Sequence, residues 1–589
     1  MRSIPGHISP WLVLAVFAIG LCFASSCKKS AEKASDTTLN IRIAAEPDRI
    51  NPMLSKSPVA SQIEQLIYYK LLDFDRVTLE LIPMLAKRMP TVTLIDTGIY
   101  RGFTAYDFEI RVEANWDNGS PITGNDLLFS IKLAMHPEVP AGSWKNFLEY
   151  IPQVEVDQNN QKKLRIYLNK SYLLADVIAG NFEIYPEYLL DPKGILKGIS
   201  YQDLNDAAKL KKLSADSSFI QFGQEFAKSG TEASTMLGSG PYKLDNWTPG
   251  KELILSRKSD WWGDKISEKE KNSFFTANPS RIKYVLIADE LAALTALRNK
   301  QIDLCNDIEA KEFQALQTSA EDKNTFNCFT AKLMQFFFVG IHMQKPGLND
   351  LHVRKALAYA MPVDKIIQQL FGGYAERIVG PIHPSKHYYN KALKPIPFDL
   401  GLAKKELNDG GWADTDGNGI ADKQIDGKKV ELSFNLLTTN KKLGQELALI
   451  FKQEAKNIGI EINIEAIEAQ SFQKRLRARD FDLVNFAIKQ YPGYVDLEPS
   501  WHSKSIGEKG NNISGFGDAS SDAIIDSLNL ATDTKEIYRL YREIQEKIYA
   551  DQAAIFLCSP LERIALNKKW RGEGSDRAPG YFEQLFTER

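Results

Sequence analysis

The chain has 589 residues, of which 43% are hydrophobic, and this is enough apolar material for more than one globular body. Its 73 basic residues nearly balance 75 acidic residues, which leaves a formal net charge of -2. This balance excludes the basic excess of a nucleic-acid-binding protein and the acidic excess of a disordered tail. We therefore expect a large globular protein without a nucleic-acid partner.

The N-terminus has the pattern of an export signal. Arg2 precedes a run of apolar or small residues, Trp11–Ala24, which is shorter than the ~20 residues needed to cross a bilayer. The small residues directly before Cys27 resemble a bacterial lipobox, with Ala24 where leucine is usual. We predict a lipoprotein signal peptide over residues 1–26, lipidation of Cys27 and a flexible tether over residues 27–38. The alternative is an ordinary secretory signal with a chance cysteine.

The cysteines do not predict a disulfide framework. Cys22 would leave with the signal and Cys27 would carry lipid, so Cys305, Cys328 and Cys558 remain at wide spacing. No CxxC metal pattern is present. One pair could form a bridge in an oxidising envelope, and three buried thiols are the alternative.

Apolar periodicity predicts alternating strands and helices in the mature chain. We expect strands over residues 39–47, 107–116, 253–263, 281–290, 428–439 and 460–467. We expect helices over residues 124–137, 290–303, 351–373 with an interruption near Pro362, and 442–459. The polar stretch from about residue 200 to 235 lacks strand patterns and is predicted to be an insertion. The β–α–β rhythm indicates α/β lobes with mixed sheets.

Six motifs occur in an order that is more specific than any one of them. They are "EPDRINP" (46–52), "LIPMLAKRM", "FEIRVEANWDNGSPITGNDLLFS" (108–130), "GSGPYKLDNWTPG" (238–250), "SDWWG" and "LNDLHVRKALAYAMPVDKI". With these motifs the chain resembles the family 5 extracellular solute-binding proteins, the peptide- and nickel-type receptors of ABC importers, from about residue 40 to about 560.

Read from their own chemistry, these motifs are mostly structural. Gly119 suits a turn with positive φ after Trp116, and Thr123 is placed to cap the following helix. Arg354 is expected to form a structural ion pair. The motifs therefore identify a scaffold and not a reaction.

The resemblance implies a two-lobed, periplasmic-binding-protein-like fold of class II, with an extra subdomain and mixed sheets in each lobe. The first lobe would combine residues 39–65, 186–330 and 556–589, with a subdomain over residues 66–185. The second lobe would span residues 331–555. Closure of the lobes would bury the cargo and change the surface presented to the transporter.

The resemblance also implies where the cargo binds. In peptide-binding relatives an acidic residue takes the ligand α-amine, in a segment that commonly reads Trp-x-x-Asp-x-x-x-Pro. Aligned on Pro499, this chain has Pro492 and Val495 at the Trp and Asp positions, and Asp496 lies one residue further on. Either a loop shift restores Asp496 to that role or the cargo is not a peptide with a free amine. The candidate ligand-binding residues are Glu46, Asp48, Trp144, Gln490, Tyr491, Tyr494 and Asp496.

The stretch "DTDGNGIAD" resembles a calcium loop of the EF-hand type. The candidate ligands are Asp414, Asp416, Asn418 and Asp422. Ile425 stands where a bidentate glutamate is needed. A tight turn with Gly417 and Gly419 in left-handed geometry explains the same composition without metal, so we expect no metal and no cofactor.

No catalytic motif is present. GxSxG, HExxH, Walker A and a GxGxxG following a strand are all missing from the sequence. His383 and His387 are the only neighbouring histidines, and Pro384 between them argues against one helical face. We therefore expect no enzymatic activity.

The expected function is that of a lipid-anchored substrate-binding protein of an ABC importer in a bacterial cell envelope. Its expected partners are an oligopeptide or similar small solute, the permease subunits of the transporter, and the membrane through the lipid anchor. We expect a monomer that faces the periplasm or the cell exterior. An envelope lipoprotein of the same fold used in sensing or assembly, and a lipid-anchored hydrolase, are the alternatives.

Overall fold

Two large mixed β-sheets organise the chain. The computed structural model describes residues 37–142, 144–231, 236–268, 270–507 and 510–589. The predicted signal peptide, lipidation site Cys27 and most of the tether lie outside these residues. None of the helices within the described ranges has the length and apolarity to cross a membrane.

The strands alternate with helices along most of the chain. Their bounds are β1 (Thr38–Ile43), β2 (Leu72–Phe74), β3 (Leu81–Pro83), β4 (Thr91–Leu94), β5 (Thr104–Glu109), β6 (Gln153–Val156), β7 (Lys163–Leu168), β8 (Tyr242–Thr248), β9 (Glu252–Arg257), β10 (Arg281–Leu286), β11 (Leu304–Cys305), β12 (Phe326–Ala331), β13 (Gln335–Ile341), β14 (Ala375–Arg377), β15 (Asp422–Ile425), β16 (Lys428–Glu431), β17 (Ser433–Thr439), β18 (Glu461–Ile467), β19 (Leu483–Lys489), β20 (Ala554–Pro560), β21 (Glu562–Asn567), β22 (Trp570–Arg571) and β23 (Thr587–Glu588).

The helices cover the faces of the sheets. The α-helices are Pro58–Ile67, Gly124–Met135, Trp144–Leu148, Ala175–Gly180, Glu187–Leu190, Tyr201–Asn205, Ala207–Leu213, Ser217–Ala227, Glu290–Arg298, Ala310–Thr318, Ala320–Thr325, Leu351–Tyr359, Val363–Phe371, Leu400–Asp409, Lys442–Lys456, Ala469–Arg477, Glu498–Trp501, Ala519–Leu530 and Thr534–Ala550. Short 3₁₀ helices lie at Trp262–Lys265, Ser273–Phe275, Ser503–Ser505 and Glu583–Leu585.

The first main sheet has seven strands in the order β12-β21-β11-β1-β10-β9-β8. β1 runs parallel to β10 and β11, whereas β9 and β21 run antiparallel to their neighbours. A separate four-stranded antiparallel sheet, β4-β5-β7-β6, lies in the same part of the chain. We call these two sheets with their helices the first lobe.

The second main sheet has six strands in the order β14-β20-β13-β19-β17-β18. β17 runs parallel to β18 and β19, and β13 runs antiparallel to β19 and β20. We call this sheet with its helices the second lobe. Both main sheets are mixed, as the sequence predicts.

The chain passes between the two main sheets at two adjacent places. β12 pairs antiparallel with β21 in the first sheet, from Phe326↔Asn567 to Ala331↔Glu562. β13 pairs antiparallel with β20 in the second sheet. Only residues 332–334 separate β12 from β13, and only Leu561 separates β20 from β21. The two connections therefore form one two-stranded ribbon that runs from sheet to sheet.

Most predicted elements form where the sequence places them. The helix Gly124–Met135 begins at an N-cap Thr123, whose side chain and that of Asp126 make a reciprocal capping box. Gly119 has φ +82° in the turn before it. Residues 201–227 contain three helices and no strand, as expected of the insertion.

Several predictions are wrong in detail. The strand expected over residues 253–263 is β9, which ends at Arg257, and Trp262 begins a 3₁₀ helix. The strand expected over residues 428–439 is two strands, β16 and β17, which belong to different sheets. The strand expected over residues 107–116 is β5, which begins at Thr104 and ends at Glu109. Arg354 makes no ion pair in the described chain, because its guanidinium donates to the carbonyls of Asp551 and Leu348, each at 2.9 Å.

The three cysteines of the described chain are free thiols. Cys305 and Cys558 are buried, and burial raises the pKa of each to about 12. They are inert core residues, and the disulfide alternative is not realised.

Glu64 is a buried carboxyl in the first lobe, on the helix Pro58–Ile67, with 5% of its surface exposed. Burial, with a contribution from the nearby Glu183 carboxylate, raises its pKa to about 8. The folded protein therefore retains a proton between about pH 4.5 and 8 that the unfolded chain releases, so stability falls as pH rises across this range.

We predict that Glu64→Gln increases the free energy of unfolding at pH 7 by up to about 3 kcal/mol, because the amide needs no proton. The gain should disappear near pH 4. Urea unfolding of both proteins between pH 4 and 8 measures it, with the exposed Glu80→Gln as a control. A gain that does not change with pH would contradict the prediction.

Candidate functional site

The candidate site lies where the second-lobe strands end beside the crossing ribbon. Ligands of α/β sheets bind at the carboxyl ends of parallel strands, and β19 ends at Lys489. The segment that follows, residues 490–498, carries four of the predicted ligand-binding residues. We call it the cleft loop.

Gln490 fixes the start of the cleft loop. Its amide nitrogen donates to the carbonyl of Pro381 at 2.7 Å, and its amide oxygen accepts from the backbone N–H of His383 at 3.0 Å. Its own backbone N–H donates to the carbonyl of Met334 in the crossing ribbon at 2.6 Å. Both functional groups of the buried side chain are used inside the protein, so Gln490 is a structural residue here.

A buried lysine fixes the centre of the cleft loop. Lys386 Nζ donates to the carbonyls of Tyr491 and Gly493, the latter at 2.8 Å. The hydroxyl of Tyr388 donates to the same Gly493 carbonyl at 2.9 Å. Only 5% of Lys386 is exposed, and burial lowers its pKa to about 7. Two carbonyl acceptors satisfy the amine without an opposing carboxylate.

His383 lies beside this lysine and is fully buried. Its Nδ1 accepts from the backbone N–H of Ser385 at 3.1 Å, so Nε2 carries the proton and donates to Ser559 Oγ at 2.8 Å. Burial and the nearby Lys386 and Lys332 lower the pKa of His383 to about 4. A neutral histidine therefore ties this segment to β20 at the crossing.

Tyr491 and Tyr494 behave differently. Tyr491 is 74% exposed at the start of the loop. Tyr494 is half-buried, with its ring centroid 5.8 Å from that of Tyr388 and 6.2 Å from that of Tyr541. Tyr541 also bonds to both backbone groups of Val495. Tyr491 remains free to contact a ligand, whereas Tyr494 packs within the second lobe.

Asp496 is bonded to the first lobe. Its Oδ2 accepts from the hydroxyl of Tyr172, and its Oδ1 accepts from the backbone N–H of Glu498 at 2.9 Å. Gly493 is also close to the first lobe, because a Cβ atom there would lie 2.7 Å from the ring of Phe74. The cleft loop is thus in contact with both lobes.

The remaining three predicted site residues lie on the first lobe. Glu46 is exposed, and its carboxylate accepts from Trp247 Nε1 at 2.8 Å and from the backbone N–H of Gly250. Asp48 is exposed and accepts from the backbone N–H of Lys56 at 3.1 Å. Trp144 is half-buried against Phe182, with ring centroids 4.6 Å apart. None of these contacts joins Glu46, Asp48 or Trp144 to the cleft loop.

A contact between Glu562, at the start of β21, and Asp307, just after β11, was not predicted from the sequence. Glu562, at the crossing, accepts from the backbone N–H of Asp307 at 2.6 Å. Burial and the Asp307 carboxylate raise the pKa of Glu562 to about 7. Asp307 itself has φ +54°, a conformation that non-glycine residues rarely adopt. Two carboxyl groups, offset in part by the adjacent Arg563, therefore lie at the first-lobe edge of the crossing.

The C-terminal segment fastens the lobes near the crossing. Asp576 accepts from Ser385 Oγ of the second lobe at 3.0 Å and from the backbone N–H of Lys332 at 3.3 Å. The adjacent Arg577 forms an ion pair with Asp73 at 3.0 Å, and this pairing lowers the pKa of Asp73. No sequence pattern predicted this strap, because its contacts join residues hundreds of positions apart.

The acidic loop at Asp414 has the geometry of a turn. Asp414 accepts from the backbone N–H groups of Gly417, Asn418 and Gly419 at 2.8–3.1 Å. Gly417 and Gly419 have φ values of +78° and +87°. Lys429 Nζ bonds to Asp416 and lies 3.7 Å from Asp422, so an ammonium group offsets the charge of two of these carboxylates. Turn formation explains these residues without a bound cation.

The buried Lys386 leads to a testable pH dependence. Its folded-state pKa of about 7 is below the ~10.4 of an unfolded lysine, so the unfolded chain binds the extra proton between these values. Stability should therefore rise with pH from 7 to 10, by at most about 1.4 kcal/mol per unit.

We predict that Lys386→Met removes this contribution, so that the difference in unfolding free energy between wild type and variant grows in favour of wild type from pH 7 to 10. Urea unfolding at each pH measures the difference, with the exposed Lys391→Met as a control. Parallel pH profiles for wild type and Lys386→Met would refute this assignment.

Comparison with known proteins agrees with this geometry. The chain is 24% identical over 581 residues to the oligopeptide-binding protein AppA of Bacillus subtilis, which covers 96% of this chain and 95% of that one. The structure of that AppA in complex with a nonapeptide has a TM-score of 0.66 and 22% identity, over 94% of this chain and 99% of that one. NikA from Brucella suis, in complex with Fe(III)-EDTA, gives a TM-score of 0.72 at 19% identity, over 94% of this chain and 100% of that one.

These likenesses confirm the two-lobed fold with mixed sheets that the sequence predicted. The sequence profile of the "Bacterial extracellular solute-binding proteins, family 5 Middle" matches residues 80–507. A family of solute-binding proteins also confirms the expectation of a binding protein and not an enzyme. The chain belongs to family 5 of the bacterial extracellular solute-binding proteins.

Proposed function

We propose that this protein is the substrate-binding component of an ABC importer, which captures an oligopeptide or a similar small solute between its lobes and delivers it to the permease. The observation that carries the proposal is the crossing ribbon. Both connections between the main sheets are short and adjacent, so bending there moves one lobe as a body against the other. Binding of a ligand between the lobes would then change the shape of the protein.

We propose that the lobes follow the division expected from the sequence, with residues 39–65, 186–330 and 556–589 in the first lobe, residues 66–185 as its subdomain and residues 331–555 in the second lobe. Two boundaries shift with the sheets. Ala331 ends β12 of the first main sheet and Pro560 ends β20 of the second, so the proposed division falls at residues 332–334 and Leu561. The proposed hinge comprises residues 332–334 and Leu561, where the paired strands leave one sheet and enter the other.

An oligopeptide is the cargo that the relatives favour. AppA of Bacillus subtilis is named as an oligopeptide-binding protein, and its solved complex holds a nonapeptide. An extended peptide binds largely through its backbone, so it needs exposed polar groups and flat aromatic side chains in the cleft more than one dedicated pocket. Tyr491 is the exposed aromatic residue of the cleft loop and is proposed to contact the peptide.

The N-terminus supports attachment to the envelope. The proposal of a lipid anchor depends on the apolar run Trp11–Ala24 and on Cys27, which follows it. The polar residues up to 38 would act as a tether that lets the lobes reach a permease in the same membrane.

We predict that a library of di- to pentapeptides contains members that stabilise the protein. A ligand at a hundredfold excess over its dissociation constant adds about 2.7 kcal/mol to the stability of the folded state. Differential scanning fluorimetry of the mature chain with Cys27→Ser measures the shift. Flat melting curves with every peptide, together with a shift for a nickel chelate, would overturn the choice of peptide.

We predict that Cys27→Ser moves the protein from the membrane fraction to the soluble fraction of the cells that produce it. The thiol is the proposed site of lipid attachment, so a chain without it has no anchor once its signal peptide is removed. Fractionation followed by mass spectrometry of the N-terminus measures both effects. Equal membrane association of the wild type and the variant would rule out Cys27 as the anchor.

A further inference from the structure

The Tyr172–Asp496 hydrogen bond joins the two lobes. Tyr172 lies in the first lobe, between β7 and the helix Ala175–Gly180. Its hydroxyl donates to Asp496 Oδ2 of the cleft loop, while Oδ1 accepts from the backbone N–H of Glu498. Each carboxylate oxygen of Asp496 therefore already has a partner within the protein.

The position of Tyr172 is fixed by its own lobe. Its ring is stacked on Tyr150, with centroids 5.3 Å apart and an angle of 4° between the planes. Lys170 Nζ lies over both rings, 4.6 Å from the Tyr150 centroid and 5.4 Å from that of Tyr172. Stacking and cation–π contact orient the hydroxyl before the lobes meet, so little side-chain entropy is lost when the bond forms.

Apolar burial accompanies the hydrogen bond. The next residue, Leu173, belongs to the first lobe but lies in a second-lobe apolar cluster with Phe336, Ile378 and Trp501. Only 8% of Leu173 is exposed. Beside it, Phe74 of the first lobe packs against Gly493. The polar contact is thus partly sheltered from water, which strengthens a hydrogen bond to a carboxylate.

The electrostatics favour this pairing. Burial and the Asp496 carboxylate raise the pKa of Tyr172, so its hydroxyl remains a donor throughout the physiological range. A ligand ammonium that displaced the Tyr172 hydroxyl from Asp496 would cost the protein a preoriented hydrogen bond at a partly buried position.

We infer that Tyr172 is a specificity-determining residue, which holds Asp496 as a contact between the lobes and so prevents it from reading the α-amine of a peptide cargo. The inference rests on the proposed peptide function. The protein then accepts peptides with a blocked N-terminus about as well as free ones. The sequence left open whether a loop shift makes Asp496 the amine anchor, and in this proposal it does not.

Hydrogen exchange tests the contact without a ligand. In the mature chain with Cys27→Ser, Tyr172→Phe should speed exchange of the backbone amides of residues 495–502, on the opposite lobe, by about tenfold. Asp496→Asn should in turn speed exchange of the backbone amides of residues 170–176, which lie in the first lobe around Tyr172. Tyr167→Phe is the control, because it removes a tyrosine–carboxylate bond of 3.0 Å to Glu155 inside the first lobe. Unchanged exchange across the lobes in both test variants overturns the inference.

Calorimetry tests the consequence for specificity, with penta-alanine and N-acetyl-penta-alanine as probes. We expect their dissociation constants to agree within about threefold, since no carboxylate is reserved for the amine. A loss of more than about tenfold on acetylation, abolished by Asp496→Asn, overturns the inference. If neither peptide binds, the proposed peptide function loses support, and the exchange experiment still decides whether Tyr172 holds Asp496.

Discussion

The antiparallel ribbon formed by β12–β13 and β20–β21 is the constraint on which the rest of the molecule depends. The strands are paired on either side of the crossing, up to Ala331↔Glu562 in the first sheet and from Phe337↔Cys558 in the second. Hinges in other two-lobed proteins are a few loop or element-terminal residues. We propose that the lobes move about the two adjacent connections at residues 332–334 and Leu561.

The side chains around the crossing are organised to keep the cleft loop rigid. Gln490, Lys386 and His383 are buried polar groups, and each finds acceptors or donors in the backbone or in Ser559. Lys386 and His383 both have lowered pKa values because burial disfavours their charged forms. Hydrogen bonds within the protein offset part of the cost of burying these polar groups.

Local signals in the sequence were sufficient for the scaffold. Thr123 and Asp126 indicate the start of a helix, because a capping box needs only neighbouring residues. Gly372, with φ +58°, ends the helix Val363–Phe371, as the Gly-Gly pair at residues 372 and 373 predicts. The prediction of a single strand over residues 428–439 was wrong because strand pairing is not a local property. The apolar pattern continues through Leu432, but β16 pairs with β15 and β17 with β18, and those choices depend on distant partners.

The candidate site was less predictable than the fold. The cleft loop was located from its place in the family, but neither the internal hydrogen bonds of Gln490 nor the partner of Asp496 was predicted. Tyr172 lies 324 positions from Asp496, and nothing in its local sequence distinguishes it from other half-buried tyrosines. Lys386 was not predicted either, because its acceptors are backbone carbonyls that any residue supplies.

Movement of the two lobes about the ribbon is the central claim, and one distance measures it directly. Ile99 in the first lobe and Leu530 in the second are 88% and 63% exposed, so spin labels there should leave the fold intact. Electron–electron double resonance on a labelled chain, with Cys328 replaced by serine, should give a distance distribution that shifts and narrows when a bound peptide is added. Identical distributions with and without a ligand whose binding is established independently would contradict the account.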